Sequence, residues 1–204
     1  MHHLNDAFHE MLKKLGQIAS VGAGHPFRGS IMTTRTGDGY VVQVRDMNND
    51  GLVAWEDLAC TQVRGRKEPA WLVAGDIIFS ARGTRNIASL VPNLSARLSK
   101  PVVCGPHFFH VKVSNPDKLL PAFLAWQLNQ KASQKYFSIS AQGSAQLSIS
   151  RTHLEAIPVF IPTLKKQQAI VELSNLATKE KQLLEKLIDN RRREINALAQ
   201  KVLK

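Results

Sequence analysis

His107 and His110 in GPHFFHVKV, Asp76 with Glu56 or Asp57, and the cysteines Cys60 and Cys104 are side chains whose types could support catalysis or hold a metal. Their spacing supports neither. Three positions apart on a helix, two histidines share a face, but this stretch reads as a strand and sends them to opposite sides. Both are therefore expected in structural or hydrogen-bonding roles. The cysteines stand 44 positions apart, with no Cys-x-x-Cys pair and no histidine doublet nearby. They read as buried free thiols, not as a disulfide framework or zinc site. Nothing in the spacing of Asp76 and Glu56 or Asp57 requires a nuclease pair. The sequence also lacks a Gly-x-x-x-x-Gly-Lys-Ser/Thr loop, a His-Glu-x-x-His helix, a Gly-x-Ser-x-Gly elbow and a methyltransferase-like Asn-Pro-Pro-Tyr segment. No catalytic centre is indicated, and neither metal nor cofactor is expected.

Binding chemistry is better represented. The 204 residues hold 27 Lys and Arg against 16 Asp and Glu, a formal net charge of +11, which favours a polyanionic partner. The excess is concentrated. Residues 61–105 contain Arg64, Arg66, Lys67, Arg82, Arg85, Arg97 and Lys100 against Glu68 and Asp76, in a segment with no helical pattern. Cations on loops beside strands can be aimed at phosphates and base edges, and arginine can hold guanine through two bonds at once. Arg28 in GHPFRG is a similar case on an earlier loop, and Gln142 and Ser144 in SAQGSAQ offer polar groups, since glutamine can pair with adenine. Arg82, following GDIIFS, has two readings: it reaches outward from a rigid strand end, or it pairs with Asp76.

The elements that must position these groups fall into two parts that meet near Pro162. Before it, short alternating or apolar runs are broken by glycine and proline. A helix is expected over residues 4–15, a glycine-marked loop over 16–31, a strand over 39–45 and a turn at MNNDG. Two strand pieces joined at Gly75 and Asp76 are expected over 71–80, a strand pair over 101–113, a helix over 117–136 and a closing strand over 154–161. The expected fold is α+β, with a curved, mainly antiparallel sheet and a few helices.

After Pro162 there is neither glycine nor proline. Ile170, Leu173, Leu176, Leu183, Leu184, Leu187, Ile188, Ile195, Leu198 and Val202 recur at steps of three and four, which lays an apolar stripe along one helix. Forty residues of helix run to roughly 60 Å, too long for one small domain to cover. The stripe must pack on another helix, in this chain or a second copy. Glu180 and Arg191 interrupt it, which points to a two-helix or four-helix pairing with polar seams. The expected division is residues 1–162 as a binding head and 163–204 as a spacer and dimerisation helix. No apolar run reaches the ~18 residues of a membrane span, and no secretory signal opens the chain, so a cytoplasmic protein with no membrane partner is expected.

Two stretches carry a resemblance. WLVAGDIIFSARGTRNIASLV (residues 71–91) and SAQGSAQLSISRTHLEAIPVFIPTLKKQQAIVELSNLA (residues 140–177) resemble, in this order and interval, segments of the specificity subunits of type I restriction-modification systems. Residues 140–177 are similar to the close of a target recognition domain running into the conserved helix through Ile-Pro-x-Pro-x-Leu-x-x-Gln. The resemblance implies a non-catalytic subunit that binds double-stranded DNA and docks methyltransferase subunits, and through them the restriction subunit. S-adenosylmethionine and both reactions would then belong to the partners. A full specificity subunit has two recognition domains and two helices, whereas this sequence has one of each. It resembles a half subunit that pairs with a copy of itself or with another half. The run Thr163-Leu164-Lys165-Lys166-Gln167 departs from the family, which more often has a second proline and a glutamate before the glutamine. Two other readings stay open: a coiled-coil regulatory or scaffold protein that binds another specificity subunit without reading DNA, and a small nuclease.

Overall fold

The computed structural model describes residues 11–65, 68–82, 85–140 and 148–203. Its centre is the run Ile77–Ser80 (β5), in which all four residues are buried. A strand without alternation must be covered on both faces, and β5 is. It lies inside a four-stranded sheet of order β2 (Ala19–Ala23), β8 (Phe108–Val113), β5 and β6 (Ala88–Leu90), all antiparallel. Ile77 and Phe79 point into one core with Val111, Phe123, Leu124, Leu128 and Phe137. Ile78 points the other way, into a second core with Phe108, Trp55, Leu72, Val91 and Val102.

What reads as one curved sheet is three. The second has order β4 (Ala59–Thr61), β3 (Gly39–Val42) and β7 (Val102–Cys104). There β3 and β7 run parallel, with Tyr40 opposite Val102 and Val42 opposite Cys104. The third pairs β1 (Leu12–Lys14) with β9 (Pro158–Phe160). The fold is therefore α+β with mainly antiparallel sheets and a long C-terminal helix, as the pattern predicts.

Several local readings differ. Of the helix expected over 4–15, residues 1–10 lie outside the described residues. Leu12–Lys14 is a strand, and only Leu15–Ile18 is helical (α1). The glycine-marked loop over 16–31 is in part this helix and β2. Gly22 sits in the ladder opposite His110, so glycine there marks no break. Residues 71–74 are not a strand: Gly75 takes φ +90° and Asp76 Oδ2 accepts from the Val73 N–H at 2.9 Å, which makes a tight turn into β5. The 117–136 helix is two, α2 (Pro121–Leu128) and α3 (Lys131–Ser140). Between them the Asn129 amide bonds both backbone groups of Ala88, at 2.9 and 2.8 Å, as an extra strand would. Residues 154–161 split into α4 (Arg151–Ala156), whose N-terminus is capped by the Ser150 hydroxyl, and β9.

The tail is one helix, α5 (Leu164–Val202), 39 residues and thus about 58 Å long. It is fastened to the head by Gln167, which is fully buried. Gln167 Oε1 accepts from the Leu120 N–H at 2.8 Å, and Nε2 donates to the carbonyls of Lys118 at 2.9 Å and Pro162 at 2.7 Å. Ile170 and Val171 then pack on the larger core, so Ile170 belongs to the head-facing side and not to the open stripe. Lys181 meets Asp50 of the MNNDG turn at 2.5 Å. From Lys179 to Leu203 every residue is exposed. Among the described residues, no helix is long and apolar enough to cross a membrane.

Candidate nucleic-acid interface

The four-stranded sheet ends, on one side, at a turn that several strands share. Gly105, Pro106 and His107 link β7 to β8, and the Phe108 N–H returns to the Gly105 carbonyl at 3.1 Å. The Gly105 N–H donates to Val42 at the end of β3 at 2.9 Å. The end of β2 closes over the same turn, with the Gly24 N–H on the Phe108 carbonyl at 2.9 Å and the His25 N–H on the Cys104 carbonyl at 2.7 Å. A Cβ on Gly24 would lie 1.9 Å from the Gly105 oxygen, so only glycine allows this approach. The end of β5 joins from the other flank: the Ala81 N–H donates to the His107 carbonyl at 2.9 Å, and Arg82 bridges to Ser148.

This edge gathers most of the described candidates. Arg82 and Arg85 leave the end of β5, and both are exposed. The Ser80 hydroxyl donates to the Arg82 carbonyl at 2.8 Å, and Nδ2 of Asn86, the residue after Arg85, donates to the Ser80 carbonyl at 3.0 Å. Arg28, exposed, follows Gly24 and His25 on the loop leaving β2. Arg64, also exposed, is drawn toward that loop because His25 Nε2 donates to its carbonyl at 3.1 Å. Phe27, Ile31 and Trp71 pack against Val41, Ala59, Val63 and Val103, giving both loops an apolar base.

Lys100 is placed elsewhere. Its ammonium donates to the Gly37 carbonyl at 2.6 Å and lies 3.6 Å from Cys60 Sγ, at the opposite end of β3. Arg66, Lys67, Gln142 and Ser144 lie outside the described residues. Two exposed groups on the edge are not singled out for binding by sequence reasoning: His107 at the tip of the turn, and Arg45, three residues beyond Val42, with a side chain 68% exposed beside Asp46 at 3.8 Å. The signal for His107 was Pro106, which fixes its own φ and so stiffens the turn.

The choice left open for Arg82 is decided by Asp76. That carboxylate lies at the other end of β5, where it accepts from His110 Nε2 at 2.6 Å and from the Val73 N–H, with Lys112 Nζ at 3.6 Å. Arg82 is not its partner. Burial holds the His110 imidazole below its ordinary range, against the pull of the Asp76 hydrogen bond and charge, and the Lys112 cation lowers it further. A histidine with a depressed folded value is stabilising while neutral, above its unfolded value of about 6.5, and that contribution is lost as pH falls through the folded value. Urea midpoints should therefore fall on acidification below about pH 6.5, and His110→Gln, which keeps a donor for Asp76, should flatten that stretch of the profile. A parent and variant with parallel profiles would contradict this.

Glu56 is paired with Arg97 at 3.0 Å, away from Asp76. Among the described residues, no three His, Cys, Asp or Glu side chains stand close enough to hold a metal. Cys104 is buried, which pushes its thiol up to about 12, and Cys60 is half-buried; both are free.

The helix carries two separate faces. At about 100° per residue, Gln167, Ile170, Val171, Ser174 and Thr178 share one side, the side turned to the head, and each is at least half-buried. Leu173, Leu176, Leu183, Leu184, Leu187, Ile188, Ile195 and Leu198 centre more than a third of a turn away, and all are exposed, Leu187 at 59%. Packing on the head leaves that stripe free.

The family profile described as Type I restriction modification DNA specificity domain matches residues 11–189. No curated protein matches. Solved structures with the same fold include the type I restriction-modification S subunit from M. genitalium, at TM-score 0.58 and 15% identity, covering 89% of this chain and 42% of that one. The HsdS subunit from Thermoanaerobacter tengcongensis gives TM-score 0.57 and 15% identity, covering 86% and 38%. A chain from work described as the structural basis underlying complex assembly and conformational transition of the type I R-M system gives 0.62 and 14%, covering 92% and 43%. This chain spans about two fifths of the length of each.

Proposed function

Because this chain belongs to the family of type I restriction-modification DNA specificity domains, we propose that it is a half specificity subunit whose head, residues 1–162, reads one half of a split DNA site. Residues 163–204 set the distance to a second head. The observation that carries the DNA reading is the strand-end edge, where Arg28, Arg64, Arg82 and Arg85 stand exposed on a backbone tied together by hydrogen bonds. Such a base suits readout, because a contact residue discriminates only if its own position is fixed. Arg66, Lys67, Gln142 and Ser144 follow or precede described parts of the same loops and belong with them in this reading. Lys100 acts chiefly as a strut between loops.

The free stripe on α5 supports the pairing. Two tails laid antiparallel bury Leu173 through Leu198 against their counterparts and leave a head at each end. Two-fold symmetry then makes the target an inverted repeat with an unread middle. The paired helices also offer the surface on which methyltransferase subunits dock, and through them the restriction subunit, so catalysis lies in the partners and this chain needs no cofactor. A copy of itself and another half subunit are both suitable mates.

Salt titration tests the DNA part. Affinity for duplex DNA should fall roughly a hundredfold between 50 and 200 mM salt if about four phosphates are neutralised. Arg82→Ala should cost about 1–3 kcal/mol and relax preference at one base pair. An Arg82 variant that binds and discriminates like the parent would remove it from the interface. A scaffold protein that only binds another specificity subunit would also use the open stripe, but it predicts no salt-sensitive attraction to duplex DNA at all.

A further inference from the structure

We infer that the turn between β7 and β8 is a DNA-reading element of this head, and that His107 at its tip touches the duplex with Arg45 and Arg82 on either side. This rests on the DNA-recognition reading above and goes beyond it by adding two residues and a central position.

An exposed turn is ordinarily the least constrained part of a sheet protein. This one is tied by backbone hydrogen bonds to three neighbouring segments. Gly105 is bonded to β3, Cys104 and Phe108 to the chain leaving β2, and His107, through its carbonyl, to the chain leaving β5. Pro106 adds a fixed φ at the one residue with no N–H to anchor. Gly24 gives up a side chain so that two backbones can touch there. The imidazole is nevertheless left in solvent, while the other histidine of the same stretch, His110, is buried on Asp76. The fold thus fixes the base of His107 and leaves its ring unengaged by any hydrogen bond among the described residues.

Its surroundings select the partner. Arg82 follows Ala81, which is bonded to the His107 carbonyl, and Arg28 and Arg64 belong to the two loops joined through His25. Beyond Val42, Arg45 lies exposed on the short helix Val44–Asp46, its Nε 3.8 Å from one oxygen of Asp46 while the other oxygen accepts from the Gln43 N–H at 2.8 Å. Exposed arginines on the segments bonded to this turn, together with an imidazole that can both donate and accept, fit a polyanion with hydrogen-bonding edges. Duplex DNA has both: phosphates for the arginines and base edges for the imidazole.

The test is binding of His107→Ala and Arg45→Ala to a duplex selected by the parent, with Lys100→Ala measured beside them. His107→Ala should bind about tenfold more weakly and lose discrimination at one base pair, with an unchanged melting temperature, since the ring is exposed. Arg45→Ala should weaken binding to all sequences alike and reduce the salt slope. Hydroxyl-radical footprinting of the unmodified protein supplies a further readout: DNA should protect Pro106, His107 and Arg45. If the parent reads DNA but His107→Ala reads it equally well, or DNA leaves the turn unprotected, the inference is overturned while the DNA-recognition reading stands. If the parent itself has no affinity for any duplex, the reading on which the inference rests has failed.

Discussion

Replacing Gln167 with leucine will destabilise the protein by about 3 kcal/mol or more, the largest effect expected of any single polar side chain here. The side chain is fully buried and serves three backbone groups, of Leu120, Lys118 and Pro162. Leucine fills the space but leaves an N–H and two carbonyls without partners, and each buried orphan costs about 1–3 kcal/mol. The three groups share one residue, so the costs do not simply add. The loss should concentrate at the head-to-helix joint, because Leu120 opens α2 and Pro162 precedes α5. Urea unfolding will show the lower midpoint, and limited proteolysis will show new cleavage between residues 162 and 181. Lys179→Ala, on an exposed face of the same helix, should stay within about 0.5 kcal/mol.

The other large effect falls on association. Leu184→Asp combined with Leu187→Asp will weaken self-pairing by about 4 kcal/mol, roughly a thousandfold in Kd. Both side chains are more than half exposed in the single chain, so the head should fold and melt as before. In a symmetric pair each substitution occurs twice, and a carboxylate in an apolar seam must be desolvated without a partner. Sedimentation at micromolar concentration will show single chains where the parent forms pairs. DNA binding by the variant should persist on one half-site but lose the gain that a linked second head provides. A variant that still sediments as a pair would mean that the stripe is not the seam.

The two parts of the molecule were unequally legible. The tail could be read because its information is local: steps of three and four over ten positions admit one element, and α5 covers Leu164–Val202. What periodicity could not show is that the helix has another, head-facing side, since Gln167, Ser174 and Thr178 are polar and resemble solvent residues. Gln167 was visible only as a motif position, with nothing in its neighbours to mark it as buried. In the head, β5 was evident from three apolar residues and a serine between turn signals. By contrast, β2 was hidden by Gly22, whose place is set by His110 of β8, a strand some ninety residues away. Helix α4 spans six residues, under two turns, too short for a period to register. The edge that gathers Arg28, Arg64, Arg82 and Arg85 depends on three strands and a turn meeting, and no local pattern encodes that meeting. For the same reason nothing local marks Arg45 or His107 as part of it.

In the proposed function one rigid head reads a few base pairs, and the open stripe of α5 sets the distance to a twin. Selection of bound duplexes from a random library by the purified protein tests both halves of that statement at once. The predicted outcome is enrichment of an inverted repeat whose two short elements are separated by an unread gap of constant length, with the elements lying one helical turn or more apart. Enrichment of a single uninterrupted element, or of nothing at low salt, would contradict it.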